Sequence, residues 1–454
     1  MLAPIGPSKF VYCVASLGYR ASVTTSSSDF LTELSSRGLL HQVSHEEALR
    51  THLSSGVRRA YVGFDPTADS LTIGNLIAIK LLMHWQRAGH QPVVVMGGGT
   101  GLIGDPSGKS AERQLNTKET VEYNVSKQRK IFEKMLDFSG PRGALLQNNL
   151  DWLGQLSFIE ALRDIGKHFS VNAMIQRDAV RDRLQHREQG ISYTEFSYIL
   201  LQAYDFLHLR RTLDVTVQLG GSDQWGNIVS GTDLIRRLMP DGQTESFAVT
   251  APLVTRSDGG KFGKTESGAI WLSPERTSPY AFYQFWLNTD DSDLLRYLRL
   301  FTFLSLTEIA DLQAAHEKDP GARVAHRALA RHMTELVHGI SERAQAEAAA
   351  QALFSGDIRE LSEQTLREVF AAVPTSQHDK QQLTTEGMVL VDVLSLTSLC
   401  KSKREAREFL QSGSVSLNGR KVGIDDKLLP SDLLHGSLVA IRRGKKNWHL
   451  LRFE

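Results

Sequence analysis

The sequence predicts an α/β fold built on a parallel sheet, followed by a helical region and a small basic α/β tail. Three observations carry that prediction. From Asp29 to about Thr265, strand-like and helix-like stretches alternate, which means parallel strands with helices on both faces. From Ser273 to about Val373 strand signals fade and helical spacing takes over, as in "RVAHRALARHMTELVHGI" and "AQAEAAAQALF". After the polar stretch "PTSQHDKQQLTTEG", mixed patterning returns from about Met388 to Glu454 with a cluster of basic residues. The expected divisions are a leader at 1–28, a sheet domain at 29–272, a helical domain at 273–373, a linker at 374–387 and the tail at 388–454.

The elements follow in order. "LTELSSRGLL" has helical spacing and "AYVGF" reads as a strand. The strand runs through the Pro/Asp/Ser turn of "GFDPTADSLTIGNL" into a helix opening near Ile73-Gly74-Asn75. Such a turn aims backbone N–H groups at whatever lies above it, most often phosphate. Histidines often stand at these helix mouths; here Thr72 and Asn75 do. "IAIKLLMHWQRAGH" is helical, "QPVVVMGGG" is a buried strand ending in glycine, and "DVTVQLGGSDQWGNIVSGTDLIRRL" repeats strand, glycine turn and helix. Ligands of such sheets bind beyond the C-terminal strand ends, where these glycine turns lie.

Composition narrows the class. A chain of 454 residues exceeds one core, so two or three domains are expected. A hydrophobic content of 41% and a charged content of 23% describe an ordinary globular protein, and the net charge of +1 is an average that can hide a local patch. Cys13 and Cys400 alone exclude a disulfide scaffold or a cysteine metal cluster. No apolar run is long enough to span a bilayer. Residues 1–28 contain no Asp or Glu, are rich in Ser and Thr and carry Lys9 and Arg20, the profile of an organellar transit peptide. A plain extension or, from "FVYCVASLGY", a weak secretory signal are the alternatives.

Several motifs bear on chemistry. "GTGLIG", Gly99 to Gly104, matches a dinucleotide fingerprint, but Pro106 and Gly108 break the helix that the fingerprint requires. "GDPSGKS" resembles a phosphate-cradling loop with one residue too few. Both near-matches leave a glycine loop close to a ligand, with Asp105 at its tip. In "TEFSYILLQAYDF", Tyr198, Gln202 and Asp205 share one face of an otherwise apolar helix, a stripe that is costly to bury without partners. A solvated face is the alternative. "GGKFGKTESG" sets Lys261 and Lys264 in a glycine-flanked loop suited to a transient polyphosphate charge. The histidines are scattered without paired ligand spacing, so no metal site is expected. In the tail, Lys401, Lys403, Arg404 and Arg407 fall on an expected helix, and Arg442, Arg443, Lys445 and Lys446 stand near Trp448. A cluster of this kind in a near-neutral chain favours contact with an RNA backbone over a solvated surface.

Together, "YVGFDPTADSL", "GLIGDPSGKSAER", "GKHFSVNAMI", "YTEFSYILLQAYDF", "GGSDQWGNI" and "KFGKT" resemble the bacterial and organellar tyrosyl-tRNA synthetases of class I, in order and spacing, from about Asp29 to Glu454. "KFGKT" resembles the KMSKS loop of class I, and "TIGN" stands where HIGH belongs. The resemblance implies a Rossmann-like catalytic domain, a helical anticodon-side domain and an S4-like RNA-binding domain, assembled as a homodimer. It implies that Tyr61 and Asp205 hold the phenolic hydroxyl of L-tyrosine, and that Asp105, Tyr198 and Gln202 hold its α-ammonium group. Asp65, Thr67, Thr72, Gly74 and Asn75 would line the ATP side, with Gly221, Asp223 and Gln224 near the ribose and Leu253 and Val254 beside the adenine. Lys261, Lys264 and Thr265 would move onto the pyrophosphate of Mg2+-bound ATP. The implied chemistry is adenylate formation and then transfer to the terminal ribose of tRNA(Tyr), by positioning and charge stabilisation without a covalent enzyme nucleophile. The implied site of action is the mitochondrial matrix, with a plastid or the cytoplasm as alternatives. A non-catalytic RNA-binding relative and a nicotinamide-dependent oxidoreductase are the rival functions. Asp65, Asp223 and the loop lysines argue against the first, and Pro106 against the second.

Overall fold

The computed structural model describes residues 29–107, 115–177, 180, 181, 184, 190–265, 268–356, 358–371, 373–444 and 447–454. The leader, the "GKSAER" stretch at 108–113, and Lys445 and Lys446 lie outside the described residues.

A six-stranded sheet forms the first domain, in the order β1 (Gln42–Val43), β6 (Phe247–Ala251), β5 (Val215–Gly221), β2 (Arg59–Phe64), β3 (Gln91–Met96) and β4 (Leu145–Asn148). Every pairing is parallel except that of the two-residue edge strand β1 with β6. Side chains alternate across the sheet with the period of two that a pleat imposes. Ala60, Val62, Phe64, Val94 and Met96 enter one core, while Tyr61, Val93 and Val95 enter the core on the opposite face. Both faces are covered, which explains why β3 reads as a continuous apolar run. Strand order reverses around β2, so the crevice beyond the C-terminal ends of β2 and β5 is the expected ligand position for this topology.

Two helices flank that crevice. Leu76–Arg87 follows β2 through the short helical turn Ile73–Asn75, as the turn chemistry anticipates. Tyr193–Leu213, capped at its start by the Ser192 side chain, packs along Trp225–Leu238. Its polar stripe is not a solvated face, because Tyr198 and Asp205 are buried. The close approach of the two helices rests on Gly231.

The helical region contains Pro279–Leu287, Asp291–Phe301, Leu306–Lys318, Val324–His338, Ile340–Ser355 and Glu363–Val369. A second sheet has the order β12 (Arg420–Lys421), β11 (Val415–Leu417), β14 (Leu438–Arg443), β15 (Asn447–Phe453) and β9 (Thr375–His378). The segment read as a linker therefore carries a strand: β9 pairs in parallel with β15. Its residues, "TSQH", show no apolar alternation because the strand lies at the sheet edge, held by ladder bonds and by Ser376 Oγ 2.9 Å from His449 Nε2. The helix of the tail begins at Lys403, so Lys401 lies outside it. Ser402 accepts from the Glu405 N–H, and the Glu405 carboxylate accepts from the Lys401 N–H at 2.6 Å, a cap that ends the helix there. Leu438, Ala440 and Leu450 of this sheet share a core with Ala349, Ile358, Leu366 and Phe370 of the helical region.

A methyl group on Gly231 would sit 2.9 Å from Cδ1 and 3.1 Å from Cβ of buried Phe206. Gly231→Ala is therefore expected to lose about 1–3 kcal/mol to overpacking, offset by about 1 kcal/mol of helix propensity. A thermal melt checks this: a lowered Tm is expected, and an unchanged or raised Tm would show that the helices can part without cost.

Candidate active site

Each strand of the crevice delivers one part of a polar cluster. At the end of β2, Asp65 accepts from Thr100 Oγ1 at 2.7 Å and from the Tyr198 hydroxyl at 2.9 Å. The turn that carries it is held from below by Asn124 and Gln128, which donate to the carbonyls of Pro66 and Ala68 at 2.9 and 2.8 Å. Gly97, just after β3, must be glycine, because a Cβ there would overlap the Asp65 carboxylate. Thr67 continues the turn, its N–H donating to the Asp65 carbonyl.

In the glycine loop after β3, Asp105 accepts from the Ser107 N–H at 2.9 Å and from Gln224 Nε2 at 2.7 Å. Gln224 also takes a bond from Gln202 Nε2 at 3.3 Å, and Asn227 donates to Gln202 Oε1 at 3.0 Å. Asp105, Gln202 and Gln224 thus form one chain of hydrogen bonds. Gly221, at the end of β5, lets Asp223 and Leu253 approach its backbone. Leu253 is exposed and Val254 half-buried, forming an apolar wall beside that turn.

The floor is drier. Tyr61 is 1% exposed, its ring packs edge-on against Phe206 at 5.4 Å, and its hydroxyl has no partner among the described residues. Beside it, Asp205 takes Trp152 Nε1 on one oxygen at 2.7 Å and Asn149 Nδ2 on the other at 2.9 Å. Burial nevertheless pushes the Asp205 carboxyl up to about 7, with the two donors opposing and the Asp65 charge assisting. Burial, reinforced by Asp205, raises Tyr61; burial, reinforced by Asp65 and Asp105, raises Tyr198. Asp223 is also raised, first by burial. None of Asp105, Asp205 and Asp223 forms an ion pair with a basic side chain among the described residues. The crevice therefore concentrates negative charge, and the ligand group it suits is a cation such as an ammonium.

The side formed by "TIGN" and "KFGKT" is built from two motifs far apart in sequence. Leu71, Ile73, Ile270 and Leu272 are stitched together by Ile73 N–H to the Ile270 carbonyl at 2.9 Å and Leu272 N–H to the Leu71 carbonyl at 2.8 Å. The "KFGKT" loop lies on the "TIGN" turn through Gly263, whose φ of 76° favours glycine and where a Cβ would overlap Ile73. Phe262 anchors the loop among Tyr297, Trp286 and Phe301, while Lys261 and Lys264 remain exposed. The Thr72 hydroxyl and backbone N–H both donate to Asn75 Oδ1 at 3.0 Å, so the hydroxyl proton is spent inside the turn. Because a backbone N–H is always a donor, these bonds also fix the amide orientation and leave Asn75 Nδ2 turned away from Thr72. Gly74 lies between them with an open Cβ direction except for Thr72 Oγ1 at 3.5 Å.

Sequence reading missed Asn149, Trp152, Thr100 and Asn227. The first two follow β4, a strand of four half-buried residues with no apolar signature of its own. In the tail, Lys403 pairs with Asp392 at 2.6 Å and Arg404 and Arg407 are exposed. Arg442 instead lies over Trp448 and bonds the Leu353 carbonyl at 3.4 Å, and Arg443 bonds the Leu399 carbonyl at 2.6 Å. Those two arginines are used within the protein, tying the sheet to its neighbours.

Comparison with known proteins identifies the family. Residues 54–355 match the family described as tRNA synthetases class I (W and Y), and residues 365–451 match the tyrosine–tRNA ligase SYY-like C-terminal domain. The chain is 49% identical to the tyrosine–tRNA ligase of Bacillus velezensis over 94% of its length and 100% of that protein's. It is 47% identical to tyrosine–tRNA ligase 2 of Enterococcus faecalis, again over 94% of its own length and 100% of the relative's. A C-terminally truncated mitochondrial tyrosyl-tRNA synthetase of Aspergillus nidulans superposes with a TM-score of 0.65 at 30% identity, covering 72% of this chain and 94% of that one. The chain belongs to the class I tyrosyl-tRNA synthetases: it is an ATP-dependent ligase that activates L-tyrosine as tyrosyl-adenylate and transfers it to tRNA(Tyr).

The Asp205 environment makes a direct test. Trp152→Phe removes an N–H that favours the ionised carboxylate, so the Asp205 pKa should rise above about 7. A pH titration of the carboxyl resonance by carbon NMR checks it, and an unmoved or lower value would contradict the assignment.

Proposed function

We propose that the polar crevice divides the two ends of L-tyrosine between its floor and its mouth. The observation that carries this is the Tyr61 hydroxyl, buried without a partner beside an Asp205 carboxylate whose oxygens already hold two N–H groups. A buried hydroxyl left unpaired is costly, and a ligand phenol placed there can accept from Tyr61 and donate to Asp205. Asp105, Tyr198 and Gln202, with Asp65 behind Tyr198, then face the α-ammonium group at the mouth. This directs the tyrosine carboxylate toward the ATP side.

There the carboxylate oxygen attacks the α-phosphorus, the bond to the bridging oxygen breaks, and pyrophosphate leaves with the electron pair. We assign Asp223 and Gln224, at the Gly221 turn, to the ribose, and Leu253 and Val254 to the adenine. Gly74 offers its backbone N–H at the helix mouth to the phosphates, and Thr67 lines them with its hydroxyl. Asn75 Nδ2, rather than the Thr72 hydroxyl, is the side-chain donor on this side, and Thr72 acts by holding that amide in place. Lys261, Lys264 and Thr265 approach the departing pyrophosphate from the loop docked on Ile73. Magnesium would enter bound to the phosphate oxygens of ATP, as is usual for this ion, rather than in an all-protein cage. In the second step a hydroxyl of the terminal tRNA ribose attacks the tyrosyl carbonyl and AMP departs.

A homodimer is supported by Phe158 and Ile159, which are 63% and 68% exposed, together with Leu162, Val171, Ile175 and Tyr193 in the same stretch. The exposed Lys401, Lys403, Arg404 and Arg407 are the tail residues best placed for the tRNA backbone. Delivery to the mitochondrial matrix is supported by the acid-free composition of residues 1–28.

The phenol assignment is tested by tyrosine- and phenylalanine-dependent pyrophosphate exchange. A pocket that bonds a hydroxyl rejects the analogue lacking it, a rule for which tyrosyl-tRNA synthetases are themselves the usual illustration. Asp205→Ala should lower kcat/KM for tyrosine by on the order of a hundredfold, because it strands the Trp152 and Asn149 donors. Tyr61→Phe should narrow the preference for tyrosine over phenylalanine by about threefold to tenfold. Unchanged discrimination in Tyr61→Phe would remove Tyr61 from the phenol site.

A further inference from the structure

Three helix ends meet in the helical region. They are the start of Asp291–Phe301, the end of Leu306–Lys318 and the start of Val324–His338. Each brings one side chain to the same point: Asp291, His316 and His326, whose ligand-type atoms all lie within 4.8 Å of one another. His326 Nε2 is 3.0 Å and His316 Nε2 3.7 Å from the same Asp291 oxygen. Ligands at about 2.0–2.1 Å in a tetrahedron lie about 3.3–3.4 Å apart, so these two separations bracket the spacing such an ion needs.

The histidines are not explained by their protein contacts. His326 is 0% exposed, yet neither of its ring nitrogens makes an aligned hydrogen bond, the 3.0 Å approach to Asp291 included. His316 Nδ1 is likewise buried without a partner. A buried imidazole in this condition forfeits the hydrogen bonds it makes in water. The Thr289 carbonyl lies near the ring without being in line with either nitrogen. A carbonyl in that place is the usual orienting partner of a metal-bound histidine. Asp291 is 63% exposed, which leaves the cluster open to solvent on one side.

We propose that Asp291, His316 and His326 form a binding site for a divalent cation of the zinc type, which ties the three helix ends of the helical region together. Two imidazoles and one carboxylate make up a donor set that suits Zn2+, and solvent on the Asp291 side supplies a fourth ligand. Arg323 opposes the ion electrostatically, but its guanidinium is drawn off to the Leu287 carbonyl at 2.5 Å. The sequence hides the site, because its ligands stand 25 and 10 positions apart and on three separate helices.

The test uses the full-length protein, stripped with a chelator and dialysed against Zn2+ at micromolar concentration. About one zinc per chain should be retained, and Tm should rise by about 5 °C relative to the stripped protein. Asp291→Asn and His316→Gln, both at positions with solvent access, should fold, keep tyrosine-dependent pyrophosphate exchange, and lose both effects. His326 stays unchanged in both variants, because its ring is buried in the packing of the helices. Zinc retention and a Tm rise that persist in both variants would overturn the proposal, as would the absence of either effect in the parent chain.

Discussion

The catalytic domain is organised around the cost of holding carboxylates together in a partly dry crevice. Asp65, Asp105, Asp205 and Asp223 converge from the ends of different strands and from one long helix, and burial raises both Asp205 and Asp223. Uncompensated, such a cluster would take up protons or open to water. The surrounding structure supplies donors instead: Trp152 and Asn149 to Asp205, Thr100 and Tyr198 to Asp65, Gln224 to Asp105. Gly97 and Gly221 keep their Cβ directions clear so that these carboxylates can lie against backbone. What remains unbalanced is net charge, which the proposed ammonium ligand would neutralise.

The same logic explains what could be read from the sequence. The stripe Tyr198, Gln202, Asp205 was legible because helical periodicity places polar groups on one face whatever their partners are. The parallel sheet was legible because β3 is an apolar run and β5 alternates Val and Leu with Thr and Gln, both leading into glycine. Asn149 and Trp152 were not, since a four-residue half-buried strand has no pattern and their roles exist only across the sheet. β9 was invisible for a related reason: an edge strand held by backbone bonds needs no apolar residues. Arg442 and Arg443 read as free charge in a linear view, whereas in space they bind carbonyls. The Asp291, His316 and His326 cluster is the extreme case, with no spacing signal at all.

The meeting of "TIGN" and "KFGKT" shows how local chemistry is redistributed when a motif changes. Threonine in place of a histidine is too short to reach far, and here its hydroxyl turns inward to Asn75. The amide of Asn75 is thereby fixed rather than free to rotate, which preserves one oriented donor at the helix mouth. The loop above depends on Gly263 for its approach to Ile73 and on Phe262 for its anchor in the helical region. The position of the loop that carries Lys261 and Lys264 therefore depends on its packing against the helical region.

The central claim is the proposal that Asp105, Tyr198 and Gln202, with Asp65 behind Tyr198, hold the α-ammonium group of tyrosine. Dissociation constants for L-tyrosine and for its des-amino analogue, hydroxyphenylpropionate, test it most directly when measured by calorimetry at about pH 8. Loss of a charge-assisted contact in a buried site should weaken the analogue by about tenfold to a hundredfold. Equal dissociation constants for the two ligands would contradict the account.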